Sequence, residues 1–169
     1  SNTTGRWNAA LGYHAMKANT SGVNNTALGH EAMLKHTSGS ANTAVGTAAL
    51  WGHLTGDANT AVGNGAIGNN QSGGNNIGLG WRSGFNNITG SNNVFIGTQA
   101  GYNETGSNRL YIENSATNGD SALIYGEFDQ NLLRANAHVQ VNTYAPGYDG
   151  VRSIINPPAN TATDHAGVY

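Results

Sequence analysis

An all-β solenoid of 17-residue coils is the fold class this sequence predicts, on three observations. Gly12, Gly29, Gly46, Gly63, Gly80 and Gly97 recur without a slip, as do Gly5, Gly22, Gly39, Gly56, Gly73 and Gly90. An asparagine column keeps the same period at Asn8, Asn25, Asn42, Asn59, Asn76 and Asn93. Finally, only 9% of residues are charged, against about 25% in ordinary domains, and no apolar face with helical spacing is long enough to matter. A fixed period of about 20 residues indicates coils that each lack a core and find it on their neighbours.

Residues 1–106 form the repeat array. Each unit carries two strand candidates. The first is the segment Asn25 to Leu28, repeated as Asn42 to Val45 and Asn59 to Val62; the second centres on Ala32-Met33 and Ala49-Leu50. Gly29, Gly46 and their equivalents end the first strand, and Thr-Gly or Ser-Gly turns close the coil. Stacking places equivalent residues ~4.8 Å apart, so identical Asn side chains can bond up the column and pin register. The thin interior holds one column of aliphatics. The alanines Ala10, Ala27, Ala44 and Ala61 then suit close approach of one roll to another, and several chains pack around an axis.

The period breaks near Gly106, which arrives one residue early, and Arg109 takes the place of the next Asn. Residues 107–142, with alternating Leu110/Ile112, Leu123/Tyr125 and Ala135 to Val141, read as a β-rich neck in which three chains share a core. Residues 143–169 lack the repeat, gather aromatics, and read as a distal cap or tip.

Chemistry-bearing motifs are sparse. Net charge is −2, with no basic stripe for nucleic acid, and no apolar run approaches the ~20 residues that cross a bilayer. With no cysteine, no thiolate site forms. Nucleophile elbows, phosphate loops and His-Glu-x-x-His are missing, so neither an enzyme nor a cofactor is expected. Glu127 and Asp129 share a strand face but read as solvated or salt-bridged. His36 and His53 stack on adjacent coils and read as turn residues, with a metal site the sharper alternative. Aromatics are more suggestive. Trp51, Phe85 and Tyr102 share one column, while Tyr144, Tyr148, Asp149, Arg152, Asp164, His165 and Tyr169 form the candidate glycan-binding set.

The Asn-Thr-Ala-[Leu/Val]-Gly units resemble the head repeats of trimeric autotransporter adhesins, and more closely those of bacteriophage tail fibres and bacterial surface fibres that carry an endosialidase-type intramolecular chaperone. The likeness extends through Ser91 to Gly97, Gly101 to Ile112 and Leu123 to Phe128. It implies a left-handed parallel β-roll wound as a homotrimer, followed by a trimeric neck and cap. It further implies an extracellular, cell-surface or virion location and an adhesive role toward a surface glycan or other receptor. The chain opens at Ser1-Asn2 in mid-repeat, as a piece of something longer would, with any export signal out of view. Two alternatives are an ice-binding solenoid, from the ladder Thr26, Thr43 and Thr60, and a glycan-degrading tailspike.

Overall fold

A computed structural model describes residues 2–137. Nine short strands form one sheet in chain order: β1 (Ala9–Leu11), β2 (Thr26–Leu28), β3 (Thr43–Val45), β4 (Thr60–Val62), β5 (Ile77–Leu79), β6 (Val94–Ile96), β7 (Arg109–Ile112), β8 (Ile124–Glu127) and β9 (Leu132–Ala135). Strands β1 to β7 pair in parallel, each with its counterpart one coil on, which makes a β-solenoid of about six turns. Thr26 faces Thr43 and Thr43 faces Thr60, the 17-residue register of the sequence. At the last step Val94 faces Leu110, so the residue lost near Gly106 is absorbed without a slip of the sheet. β8 and β9 then continue the same sheet in antiparallel order. No helix among the described residues is long and apolar enough to cross a membrane.

Thr-Ala-Leu and Thr-Ala-Val are strand-forming triplets because β-branched side chains suit the pleat. A glycine with φ between 128° and 139° ends β2, β3 and β4. A Cβ at Gly29 would stand 2.5 Å from the carbonyl oxygen of Gly46, so the coils touch here through bare backbone.

The second side of the coil is not a strand, contrary to expectation. Glu31 and Met33 both adopt left-handed φ (56° and 52°), as do Ala48 and Leu50 (55° and 50°). Left-handed residues two apart destroy the pleat and leave a run of turns. The coils still bond through it, alternately upward and downward. Met33 N–H donates to Ala49 O at 2.9 Å, and Ala48 N–H donates to His30 O at 2.9 Å. Inter-coil bonding, which repays the left-handed backbone, thus persists without β geometry.

The interior also inverts the expected volume argument. Ala27, Ala44 and Ala61, at the centre of each strand triplet, point inward and are fully shielded. They pack with Ala32, Ala49 and Ala66 and with Met33, Leu50 and Ile67 from the turn side. The strand aliphatics point the other way: Leu11, Leu28, Val62, Leu79 and Ile96 are exposed, Leu11 at 71% and Ile96 at 36%. The cause is the period of two along a strand. Thr and Leu flank the central Ala, so both must face outward if Ala faces in. The alanine columns therefore form the inside of each coil and not an inter-chain seam.

Layer volume is held roughly constant where the pattern departs from Ala. Gly78 replaces the strand alanine, and a Cβ there would meet Ile67 Cγ1 at 2.5 Å. One coil later Phe95 occupies the position, fully buried, over Gly84 and Gly101, where an added Cβ would come within 2.3 Å of its ring. Phe95 then opens a second core with Ala100, Tyr111, Ala122 and Tyr125 at the antiparallel end.

Candidate functional site

Two polar columns run through the coil interior. In the first, Asn25, Asn42, Asn59, Asn76 and Asn93 are all buried. Asn42 donates its backbone N–H to Asn25 Oδ1 at 2.8 Å, and its side-chain amide to the same oxygen at 3.1 Å and to Gly56 O at 2.9 Å. Asn59 and Asn76 repeat the pattern one and two coils on. This is the ladder anticipated from the sequence. Arg109 ends it, where only the backbone N–H remains to donate to Asn93 Oδ1 at 2.8 Å.

The second column contains Asn19, His36, His53, Asn70 and Asn87, every one buried. The histidines do close turns, their N–H groups donating to Met33 O at 3.1 Å and Leu50 O at 3.2 Å, but both side chains lie inside the coil. Their rings stack in parallel with centroids 5.1 Å apart, and Nδ1 lies 2.9 Å from Nδ1. A carbonyl can only accept, so the shorter contact, Gly39 O at 2.9 Å, places the His36 proton on Nε2, and Asn25 Nδ2, 3.2 Å from that nitrogen, donates to Gly39 O at 2.8 Å instead. His36 Nδ1 then accepts from His53 Nδ1–H, and His53 Nε2 accepts from Asn59 Nδ2 at 3.1 Å. The string is complete only with both rings neutral. Burial pushes both pKa values down; for His53, burial and the adjacent His36 bring it to about 3. Among the described residues no three His, Cys, Asp or Glu side chains converge to hold a metal. Further along, Asn70 and Asn87 donate to backbone carbonyls of the next coil, while their own Oδ1 atoms have no partner among the described residues.

Outside, the sheet presents two columns in register. One runs Thr26, Thr43, Thr60, Ile77 and Val94; the other runs Leu11, Leu28, Val45, Val62, Leu79 and Ile96. Together they make an apolar stripe along the coils, edged by hydroxyls at one end. The outward leucine and valine column was not read as surface from the sequence, although strict alternation about a central alanine was the available signal.

Of the aromatic column, Phe85 stacks on Tyr102 with centroids 5.4 Å apart and planes within 6°. Trp51 stands apart, separated by Gly68, with the Lys35 ammonium 3.8 Å from its ring centre and its Nε1–H donating to Glu31 at 3.2 Å. Glu127 and Asp129 are salt-bridged, as expected. Arg109 lies 3.8 Å from the first and 3.1 Å from the second, and Tyr125 O–H donates to Glu127 at 2.9 Å. Burial, with that hydrogen bond, raises the Tyr125 pKa to about 12, so the phenol remains a donor. The expected glycan-binding set, Tyr144, Tyr148, Asp149, Arg152, Asp164, His165 and Tyr169, lies outside the described residues.

Fold and interior together define a β-solenoid with a hydrogen-bonded polar spine and an outward apolar sheet face. No protein-family model, curated protein or solved structure matches the chain.

Proposed function

We propose that this chain is a structural and adhesive segment of a homotrimeric extracellular fibre, wound as a left-handed β-roll. In this reading 143–169 form the tip that meets a surface glycan. The observation that carries the reading is the outer sheet face. Leu28, Val62, Leu79 and Ile96, between 36% and 43% exposed, form with the half-buried Val45 one column across five coils, and Ile77, 39% exposed, stands beside it. A monomer rarely leaves so continuous an apolar surface to water. Three copies around an axis bury it on themselves, and the seam is this face, in place of the alanine columns. The periodic shaft then serves as a spacer, because every coil offers nearly the same chemistry.

The test is mass in solution. Light scattering should give three times 17.4 kDa. Val62→Lys with Leu79→Lys should release folded monomers, since charges on the seam are buried without partners. A folded wild-type monomer would defeat the trimer. Deleting 143–169 from a trimer that stays intact should abolish binding to cells or glycan arrays, and undiminished binding removes the tip from that segment.

A second reading draws on one observation, the outward hydroxyl column of Thr26, Thr43 and Thr60 on a regular sheet. It is the ice-binding alternative. The column gives way to Ile77 and Val94 in the next two coils, which leaves a short, single-file ladder. Thermal hysteresis of the purified protein decides it.

A further inference from the structure

We infer that the flank of the solenoid beside Trp51 holds a shallow binding site for a single hexuronate sugar unit. The site arises from an interruption of the repeat. The column that carries Lys35, Asn69, Asn86 and Asn103 has Gly52 in its second place, and the neighbouring column has Gly68 between Trp51 and Phe85. The Phe85 ring covers Gly68, where a Cβ would stand 2.7 Å from Cε2. Gly52 is itself covered, since a Cβ there would stand 3.0 Å from Gly68 O, and beside it the surface dips into a cleft of about 260 Å³. That space accepts one pyranose ring and is below the roughly 300 Å³ at which drug-sized pockets begin.

The lining supplies what a sugar requires. Trp51, Leu54 and Ile88 form an apolar wall against which the C–H face of a ring can stack. Trp51 is held for this purpose by its hydrogen bond to Glu31 and by Lys35 at its ring. Amides face the same space. The Gln71 side chain is exposed and makes no hydrogen bond to another described residue, while Asn69 uses one N–H on Asn86 at 3.2 Å and keeps its oxygen for a ligand.

Charge selects the acid. Lys35 is the one ionised side chain lining the cleft, and no carboxylate among the described residues lies within ion-pair distance of its ammonium. A ligand carboxylate can pair with it, whereas a neutral hexose leaves the cation without a counter-charge. One chain forms the whole cleft, so the inference stands or falls apart from the fibre reading and from residues 143–169.

The experiment follows the indole N–H resonance of Trp51 in the full chain, identified by its loss in Trp51→Phe. The protein is titrated with sodium glucuronate, with glucose, and with sodium acetate as the carboxylate lacking a ring. Glucuronate should move the signal saturably in the millimolar range, with glucose about tenfold weaker and acetate inert below 100 times the protein concentration. Lys35→Gln should bring glucuronate down to the level of glucose, and Gln71→Ala should weaken both sugars about equally. Both positions are exposed, so the fold survives, as circular dichroism checks. No saturable shift with glucuronate overturns the site. Equal binding of glucose and glucuronate, or a response to acetate as large as to glucuronate, overturns the hexuronate assignment.

Discussion

In the coil that contains β3, Ala44, Ala49 and Leu50 are as fully shielded from water as Asn42 and His53. Yet the two sets behave differently along the stack. At equivalent places the apolar set accepts Met33, Leu50 and Ile67, three aliphatics of different shape. The polar column of the strand side holds Asn without exception from Asn25 to Asn93. Burial of apolar area is non-directional and tolerates exchange at similar volume. A hydrogen bond has a fixed geometry, and a buried amide that misses its partner costs about 1–3 kcal/mol. The apolar half therefore supplies cohesion, while the polar half fixes which coil sits on which.

The largest effect that probes this division comes from charging the apolar half. Ala44→Arg places a guanidinium where no partner exists, and the fold should lose several kcal/mol, enough to unfold it. Leu28→Arg, one coil away on the outer face, should leave the coil folded. Urea melts of the two variants make the comparison. Equal stability would return Ala44 to the surface and restore the alanine seam.

Next in size is the spine itself. Asn59→Leu removes the acceptor for Asn76 N–H and the donors to Gly73 O and His53. Three orphaned partners should cost about 3–5 kcal/mol, against less than about 1.5 kcal/mol for Leu50→Met in the apolar half. If the two losses match, the polar half has no special role in the stack.

Much of this was legible in the sequence because it is written in the period. The Gly and Asn columns gave the coil length, the parallel register and the hydrogen-bonded ladder, since each depends only on what recurs every 17 residues. Direction within a coil was less legible. Ala and Leu alternate in the strand triplet, and volume arguments favoured the larger residue as core, whereas the interior is filled instead by Met33, Leu50 and Ile67 from the turn side. The left-handed backbone there had a signal that went unused: Gly65, Gly84 and Gly101 occupy columns where Ala48, Leu50 and Ile67 also take positive φ. The burial of the histidine pair was illegible because a column shared with Asn is equally at home in a turn. The Trp51 cleft became readable only once Gly52 and Gly68 could be placed on adjacent coils.

The histidine string gives a smaller effect that depends on pH. Above pH about 6.5 both rings are neutral in folded and unfolded chains, and their contribution is fully present. Below that, the unfolded chain binds protons that the folded one refuses, since His53 holds out to about 3. Stability should thus fall as pH falls from about 6.5 towards 3, by up to about 1.4 kcal/mol per pH unit from His53, with His36 acting in the same direction. His53→Asn should flatten that slope and cost about 1–3 kcal/mol at pH 8, because Asn70, in the same column one coil on, leaves its Oδ1 without a partner among the described residues. Urea midpoints from pH 8 to pH 4 measure both. An unchanged slope in the variant would mean the pair is charged or open to solvent.

Smallest should be the ion pairs at the antiparallel end, where the spine has already stopped. Arg109 keeps the last rung through its backbone N–H, and a side-chain substitution does not touch that bond. Its guanidinium reaches Asp129 at 3.1 Å and Glu127 at 3.8 Å with all three side chains partly open to water. Such pairs contribute about 0–1 kcal/mol and are screened by salt. Arg109→Gln should therefore shift stability by less than about 1 kcal/mol, and by still less in 1 M salt, where the screening length shrinks to about 3 Å. A loss near that of Asn59→Leu would show that the charges, and not the backbone rung with the Phe95, Tyr111 and Tyr125 core, hold the antiparallel strands to the stack. The polar half would then continue beyond the ladder in ionic form. A small, salt-sensitive loss instead ends the side-chain ladder at Asn93, with backbone strand pairing and the second core carrying the chain from there to β9.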